Sequence, residues 1–159
     1  MHPNEHLVEQ YVRIVKKWFT ATNIGFGTNR EIDILALDAK GNAYHIEVDI
    51  HKGGLQWGPE GNDYYSVKEY KDKKFDAEAK QFIKERYGIG RTFNIWVCWG
   101  IHPKVKERAL REAKKHNVEI WEFRDKIKDL MDSIGTAHYG DNIIQSLSLI
   151  KAAQSRKYD

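Results

Sequence analysis

The chain has 159 residues, 41% of them hydrophobic and 31% charged, with a formal net charge of +3. This apolar share supports one packed core and excludes wholesale disorder, and no run of about 18 apolar residues is present to span a membrane. A single cysteine, Cys98, excludes an internal disulfide and a cysteine-based zinc site. Cys98 lies in an apolar run and reads as a buried small hydrophobe. The segment Met1 to Glu5 lacks the basic-then-apolar layout of a signal peptide, so the expected compartment is the cytoplasm.

Residues 5–18 carry Leu7, Val8, Tyr11, Val12, Ile14, Val15 and Trp18 at helical spacing, with Asn4 as the expected cap. Phe19 to Phe26 and Glu31 to Leu37 read as two strands. Asp38 to Asn42 is a hairpin turn with Gly41 and Asn42 in place. Ala43 to His51 is a third strand that alternates cleanly: Tyr44, Ile46, Val48 and Ile50 on one face, His45, Glu47, Asp49 and His51 on the other. An irregular stretch from Lys52 to about Lys71 follows, a length usual for functional or mobile loops. Residues 72–87 read as a helix, Thr92 to Trp99 as an apolar central strand, 103–116 as a helix and Val118 to Phe123 as a last strand. Helices over 125–134 and 142–155 close the chain. The meander argues for antiparallel pairing and the later strand–helix–strand unit for a parallel crossover. The expected product is one α/β domain over 1–159: a mixed sheet flanked by helices, core 5–125, with a helical extension over 125–156.

The chemistry concentrates on the hairpin. Strand spacing of about 5 Å, and about 7 Å between i and i+2 side chains, lets Asp33 face Glu47 and Asp49. Three carboxylates so placed repel one another unless a cation lies between them, and oxygen ligands suit magnesium or manganese. The same residues also fit a polar strand face turned to solvent. His45 and His51 share the acidic face and could complete a site for a softer metal. Lys68, Lys71, Lys73 and Lys74 form one basic cluster, and Lys104, Lys106, Arg108, Arg111, Lys114 and Lys115 another; each also reads as a solvated helix face. Trp57, Tyr64, Tyr65 and Tyr70 lie among lysines, a pattern that stacks bases and tracks phosphates, and equally one that packs a loop on the body. Trp96, Trp99 and Trp121 read as core.

The order of a first helix with a Glu, a strand reading Glu31-Ile32-Asp33-Ile34-Leu35-Ala36, a turn, and a strand reading His45-Ile46-Glu47-Val48-Asp49 resembles the PD-(D/E)xK nuclease superfamily. Restriction enzymes and archaeal Holliday junction resolvases belong to it. The resemblance covers residues 5–125 and rests on the order of short motifs. It implies a restriction-endonuclease-like αβββαβαβ core and a metal-dependent endonuclease acting on duplex or branched DNA with Mg²⁺ or Mn²⁺. It makes Asp33 and Glu47 metal ligands and Glu9 the first-helix acid, and sets Gln81 beside a helix glutamine of some branches. The pattern's lysine is replaced by Asp49, which can bind metal or act as a base but cannot supply positive charge. Lys52, through a bulge after His51, or Lys80 or Lys84 from the next helix, are the substitutes in reach. The basic residues Lys52, Lys68, Lys71, Lys73 and Lys74 are the expected nucleic-acid contacts. A nuclease-like domain that has lost cleavage and binds DNA or protein, and an assembly protein with an incidental acidic cluster, stay open as alternatives. The last helix, with Ile143, Ile144, Leu147, Leu149 and Ile150, caps the sheet or offers a homodimer surface.

Overall fold

Side-chain volume and alternation set a five-stranded sheet, seen in a computed structural model that describes residues 1–50, 67–135 and 138–155. The strands are β1 (Phe19–Phe26), β2 (Arg30–Leu37), β3 (Ala43–Asp49), β4 (Thr92–Cys98) and β5 (Val118–Glu122). They lie in sequence order, antiparallel from β1 to β3 and parallel from β3 to β5. The helices are α1 (Pro3–Tyr11), α2 (Val67–Lys74), α3 (Ala77–Tyr87), α4 (Pro103–Lys115), α5 (Phe123–Ser133) and α6 (Asn142–Ser155). The fold is therefore α/β, with a mixed sheet flanked by helices as expected.

Strand parity divides the interior. Ile34, Ile46 and Ile95, partners across β2, β3 and β4, face α1, α5 and α6 together with Val97 and Trp121. On the opposite face Trp96, Cys98 and Val118 pack against α2 and α4, and Leu35 joins Ala79 and Ile83 of α3 in a cluster that also holds Ile32. The β2–β3 turn is built as its residues demand. Gly41 takes φ +80°, and the Asp38 carboxylate accepts the Lys40 and Asn42 amides at 2.9 and 2.8 Å.

Several boundaries differ from the periodicity. The first helix starts at Pro3, capped by His2 rather than Asn4: His2 Nδ1 accepts the Asn4 amide, and the Glu5 carboxylate accepts the His2 amide at 2.9 Å. After Tyr11 it continues as one turn of π-helix, Val12–Lys16, and Lys17 leaves it with φ 60°. Trp18 is thereby outside the helix, its ring stacked 4.0 Å from Tyr44. The helix expected over 72–87 is two helices. Asp76 breaks the run and caps α3, its carboxylate accepting the Ala79 amide at 2.9 Å. The irregular stretch expected to reach Lys71 ends by Val67, where α2 begins. Trp99 lies beyond β4 and is 39% exposed, not core, whereas Trp96 and Trp121 are buried.

Asp141 ties the C-terminal helix to the first. Its Oδ1 accepts the Ile143 and Ile144 amides at 3.0 Å, and its Oδ2 lies 2.7 Å from His6 Nε2 and 3.3 Å from Gln10 Nε2. We expect Asp141→Ala to cost about 1–2 kcal/mol, because it removes both a cap and an interhelical tie. A thermal melt should show a loss of several degrees.

Candidate functional site

The two acidic motif residues are held by adjacent strands on the face covered by α2. The β2–β3 ladder pairs Leu35 with His45 and Ile34 with Ile46, which sets Asp33 on the side of Glu47. Both are inside the protein: Asp33 is 6% and Glu47 1% exposed. The backbone is irregular here. On the β1 side, pairing runs Thr22–Ile34 and Ile24–Ile32 but skips the step between, where Asn23 adopts φ 50° opposite Asp33. On the β3 side, Asp33 Oδ2 accepts the Val48 amide at 2.7 Å, taking a place a backbone carbonyl would have in a continued ladder.

Glu47 sits between two basic groups. Its Oε1 lies 2.7 Å from His45 Nε2, and its Oε2 lies 2.7 Å from Lys74 Nζ. Lys74 is the last residue of α2, and the break before α3 leaves its stem free to turn toward the sheet. Burial opposes the charge on Lys74, but Glu47, then Asp33 and Asp49, outweigh it and hold the ammonium above its ordinary value. Burial, and then the Glu47 charge, pushes the Asp33 carboxyl up to about 7, with the Val48 amide and Lys74 pulling against the rise. Tyr70, one turn before Lys74 on α2, is buried and stacked 3.9 Å from Trp96. Burial and the charges of Glu47, Asp49 and Asp33 push its phenol up.

The expected three-carboxylate cluster is therefore a buried pair with a lysine. Asp49 is on the face of Glu47 at the end of β3 and bears on Lys74 and Tyr70. Among the described residues, however, no group of three or more His, Cys, Asp or Glu is arranged to hold a metal ion. Lys74 supplies, beside Glu47, the kind of positive charge that a metal was expected to supply. The donors still suit a hard cation, since they are carboxylate oxygens in a buried and mutually repelling pair. Among the described residues, Asp33 Oδ1 has no protein hydrogen bond.

Glu9 is buried, and its carboxylate accepts Thr20 Oγ1 at 3.0 Å and lies 3.3 Å from His6 Nδ1. The first-helix acid whose charge bears on Asp33 is Glu5, one turn earlier. Lys68 pairs with Asp72 at 2.8 Å, and Lys71 and Lys73 share the last turn of α2 with Lys74, where positive charge meets the helix's negative end. Lys74, expected as a nucleic-acid contact, is instead the lysine of the acidic pair. Tyr70, one of the aromatics that fitted either base stacking or packing on the body, is core. Gln81 is a surface residue bonded to Glu85 at 2.5 Å. His51, Lys52, Trp57, Tyr64 and Tyr65 lie outside the described residues. The Cys98 thiol is buried and pushed up to about 12, first by burial and then by Glu122, so it is an unreactive core residue.

No protein-family model, no curated protein and no solved structure matches this chain. No helix of the described residues is long and apolar enough to cross a membrane. The functional reading rests on the site itself.

Proposed function

We propose that the chain is a metal-dependent endonuclease that hydrolyses DNA phosphodiester bonds, with Lys74 in place of the lysine missing from the strand motif. The observation that carries this reading is Lys74 Nζ at 2.7 Å from Glu47 Oε2, beside the buried carboxyl of Asp33. Asp33 and Glu47 are the residues that would hold Mg²⁺ or Mn²⁺. A bound divalent ion supplies a charge that polarises the phosphate and lowers the pKa of a coordinated water. Lys74, kept charged by three carboxylates, orients the attacking water and offsets the negative charge that grows on the phosphate oxygens. Asp49 helps to hold that ammonium. His45, 1% exposed with its Nε2 on Glu47, fixes the direction of the Glu47 carboxylate. Lys68, Lys71 and Lys73 on α2, with Lys52, supply backbone contacts to duplex or branched DNA. The exposed Leu149 and Ile150 of α6 are the surface for a homodimer, and the cytoplasm is the proposed compartment.

One observation favours a second reading. Glu47 Oε1 meets His45, and the Lys74 ammonium lies 2.7 Å from Oε2 as an ion pair, although Oε2 makes no hydrogen bond, so the Glu47 charge is balanced without a metal. A nuclease-like domain that binds DNA or a protein partner without cutting would keep such a balance.

The test is cleavage of linear duplex, single-stranded and branched DNA under a magnesium and manganese series. The natural chain should cut at least one of these, and Asp33→Asn and Glu47→Gln should each lower the rate by about 100-fold or more. Binding without cleavage under every metal condition would establish the second reading.

A further inference from the structure

A cavity of ≈ 630 Å³ opens at the N-terminal ends of β4 and β5, between α3 and the end of α4. Its size falls within the range of small-molecule sites. Its lining is unusual in charge. Lys71 of α2, Lys80 of α3, Arg91 before β4 and Lys114 of α4 converge there from four segments, and among the described residues the lining holds one carboxylate, Glu119. That carboxylate is engaged, accepting Trp121 Nε1 at 2.6 Å. Among the described residues, Lys80, Arg91 and Lys114 have no carboxylate in salt-bridge reach. Lys71 has Asp72 only at 4.0 Å, and Asp72 is held at 2.8 Å by Lys68.

The floor carries a second, independent sign. Asn94, 8% exposed, and Thr92 both line the cavity, and Asn94 Oδ1 and Thr92 Oγ1 are buried with no hydrogen-bond partner. Buried polar atoms normally find partners, and four cations around one opening repel one another. An anion relieves the repulsion and accepts from the Thr92 hydroxyl, while the Asn94 carbonyl, itself an acceptor, is met by a group that donates, such as a protonated phosphate oxygen or a sugar hydroxyl. A carboxylate carries one charge, whereas a phosphomonoester carries between one and two and several acceptor oxygens, which matches the cation surplus.

We propose that this cavity binds a phosphomonoester, as either the terminal phosphate of a nucleic-acid strand or a free nucleotide. The binding claim stands on the cavity alone; the strand as its source rests on the endonuclease reading. Lys71 lines the cavity and Lys74, three residues on along α2, reaches Glu47, so one helical turn connects the two places. A strand seated at the acidic pair could end in the cavity.

The experiment is run in EDTA, so that cleavage plays no part. Binding to the natural chain is measured for dAMP, for a single-stranded oligonucleotide bearing a 5′-phosphate, and for the same oligonucleotide without it. At least one phosphorylated probe should bind about tenfold more tightly than the unphosphorylated strand, and inorganic phosphate should compete. Lys80→Gln with Lys114→Gln should remove that preference while leaving the melting temperature unchanged or raised. Preference for the oligonucleotide identifies a strand end, and preference for dAMP identifies a free nucleotide. Equal binding of all probes, or a preference that survives the double substitution, overturns the proposal. A chain that never cleaves DNA with metal would overturn the endonuclease reading and leave this measurement untouched.

Discussion

Replacing Lys74 by Met should destabilise the protein by about 2 kcal/mol and lower its melting temperature by several degrees. The size follows from what is left behind. Glu47 is 1% exposed and would keep only His45 as a partner. Breaking a buried pair by removing one member costs about 3–5 kcal/mol, and the figure is reduced here because the lysine side chain is about a third exposed to solvent. The loss should be coupled to Glu47. Glu47→Gln with Lys74→Met removes the buried charge together with its partner, so the pair should recover much of the stability lost by Lys74→Met alone. Melts of the two single variants and the double variant check this. A Lys74→Met chain as stable as the natural one would mean that the ion pair is not formed in solution.

Asp33→Asn should act in the opposite direction, and its effect should depend on pH. The folded chain holds the Asp33 proton up to about 7, against an ordinary value of 3.8. A folded-state value above the unfolded one means that the folded form binds the proton more tightly. That stabilising contribution is present in full below about 4 and is lost as pH rises through about 7. A rise of this size corresponds to at most about 4 kcal/mol. Asn has no charge to bury and keeps an oxygen for the Val48 amide. In metal-free buffer Asp33→Asn should therefore match the natural chain near pH 4 and exceed it by about 2–4 kcal/mol at pH 8. Asp33→Ala is the less informative change, because it leaves the Val48 donor without a partner. Magnesium should then stabilise the natural chain and not the Asn variant. A constant difference between the two chains from pH 4 to 8 would contradict the burial argument.

The hairpin was legible because its signals are local. Alternation over Ala43 to Asp49 separates the apolar face from the face of His45 and Glu47, and the turn residues Asp38, Gly41 and Asn42 fix the register that sets Asp33 beside Glu47. Parallel pairing of β4 and β5 followed from the helix between them. The break at Asp76 carried a local signal as well, a cap residue before Ala77-Glu78-Ala79, but helical periodicity runs across it and hides it. Lys74 was not legible. Its approach to Glu47 joins residues 27 positions apart and depends on where α2 ends, a tertiary fact that a run of lysines does not encode. Glu9 and Glu5 lie one turn apart on the same helix, so the choice between them turns on how α1 packs, which His6, Thr20 and Asp141 decide. Tyr70 was open between two readings because basic residues surround it in sequence, and α2 decides for packing by turning it inward onto Trp96.

Lys74 is proposed to do the work of the absent strand lysine. The most direct test is single-turnover cleavage, at saturating magnesium, of the best DNA substrate by the natural chain, Lys74→Met and Asp49→Asn. The natural chain should cleave, Lys74→Met should lose about 100-fold or more, and Asp49→Asn should stay within about tenfold of the natural rate. Full activity in Lys74→Met, with activity lost in Asp49→Asn, would contradict this proposal and return the catalytic role to position 49.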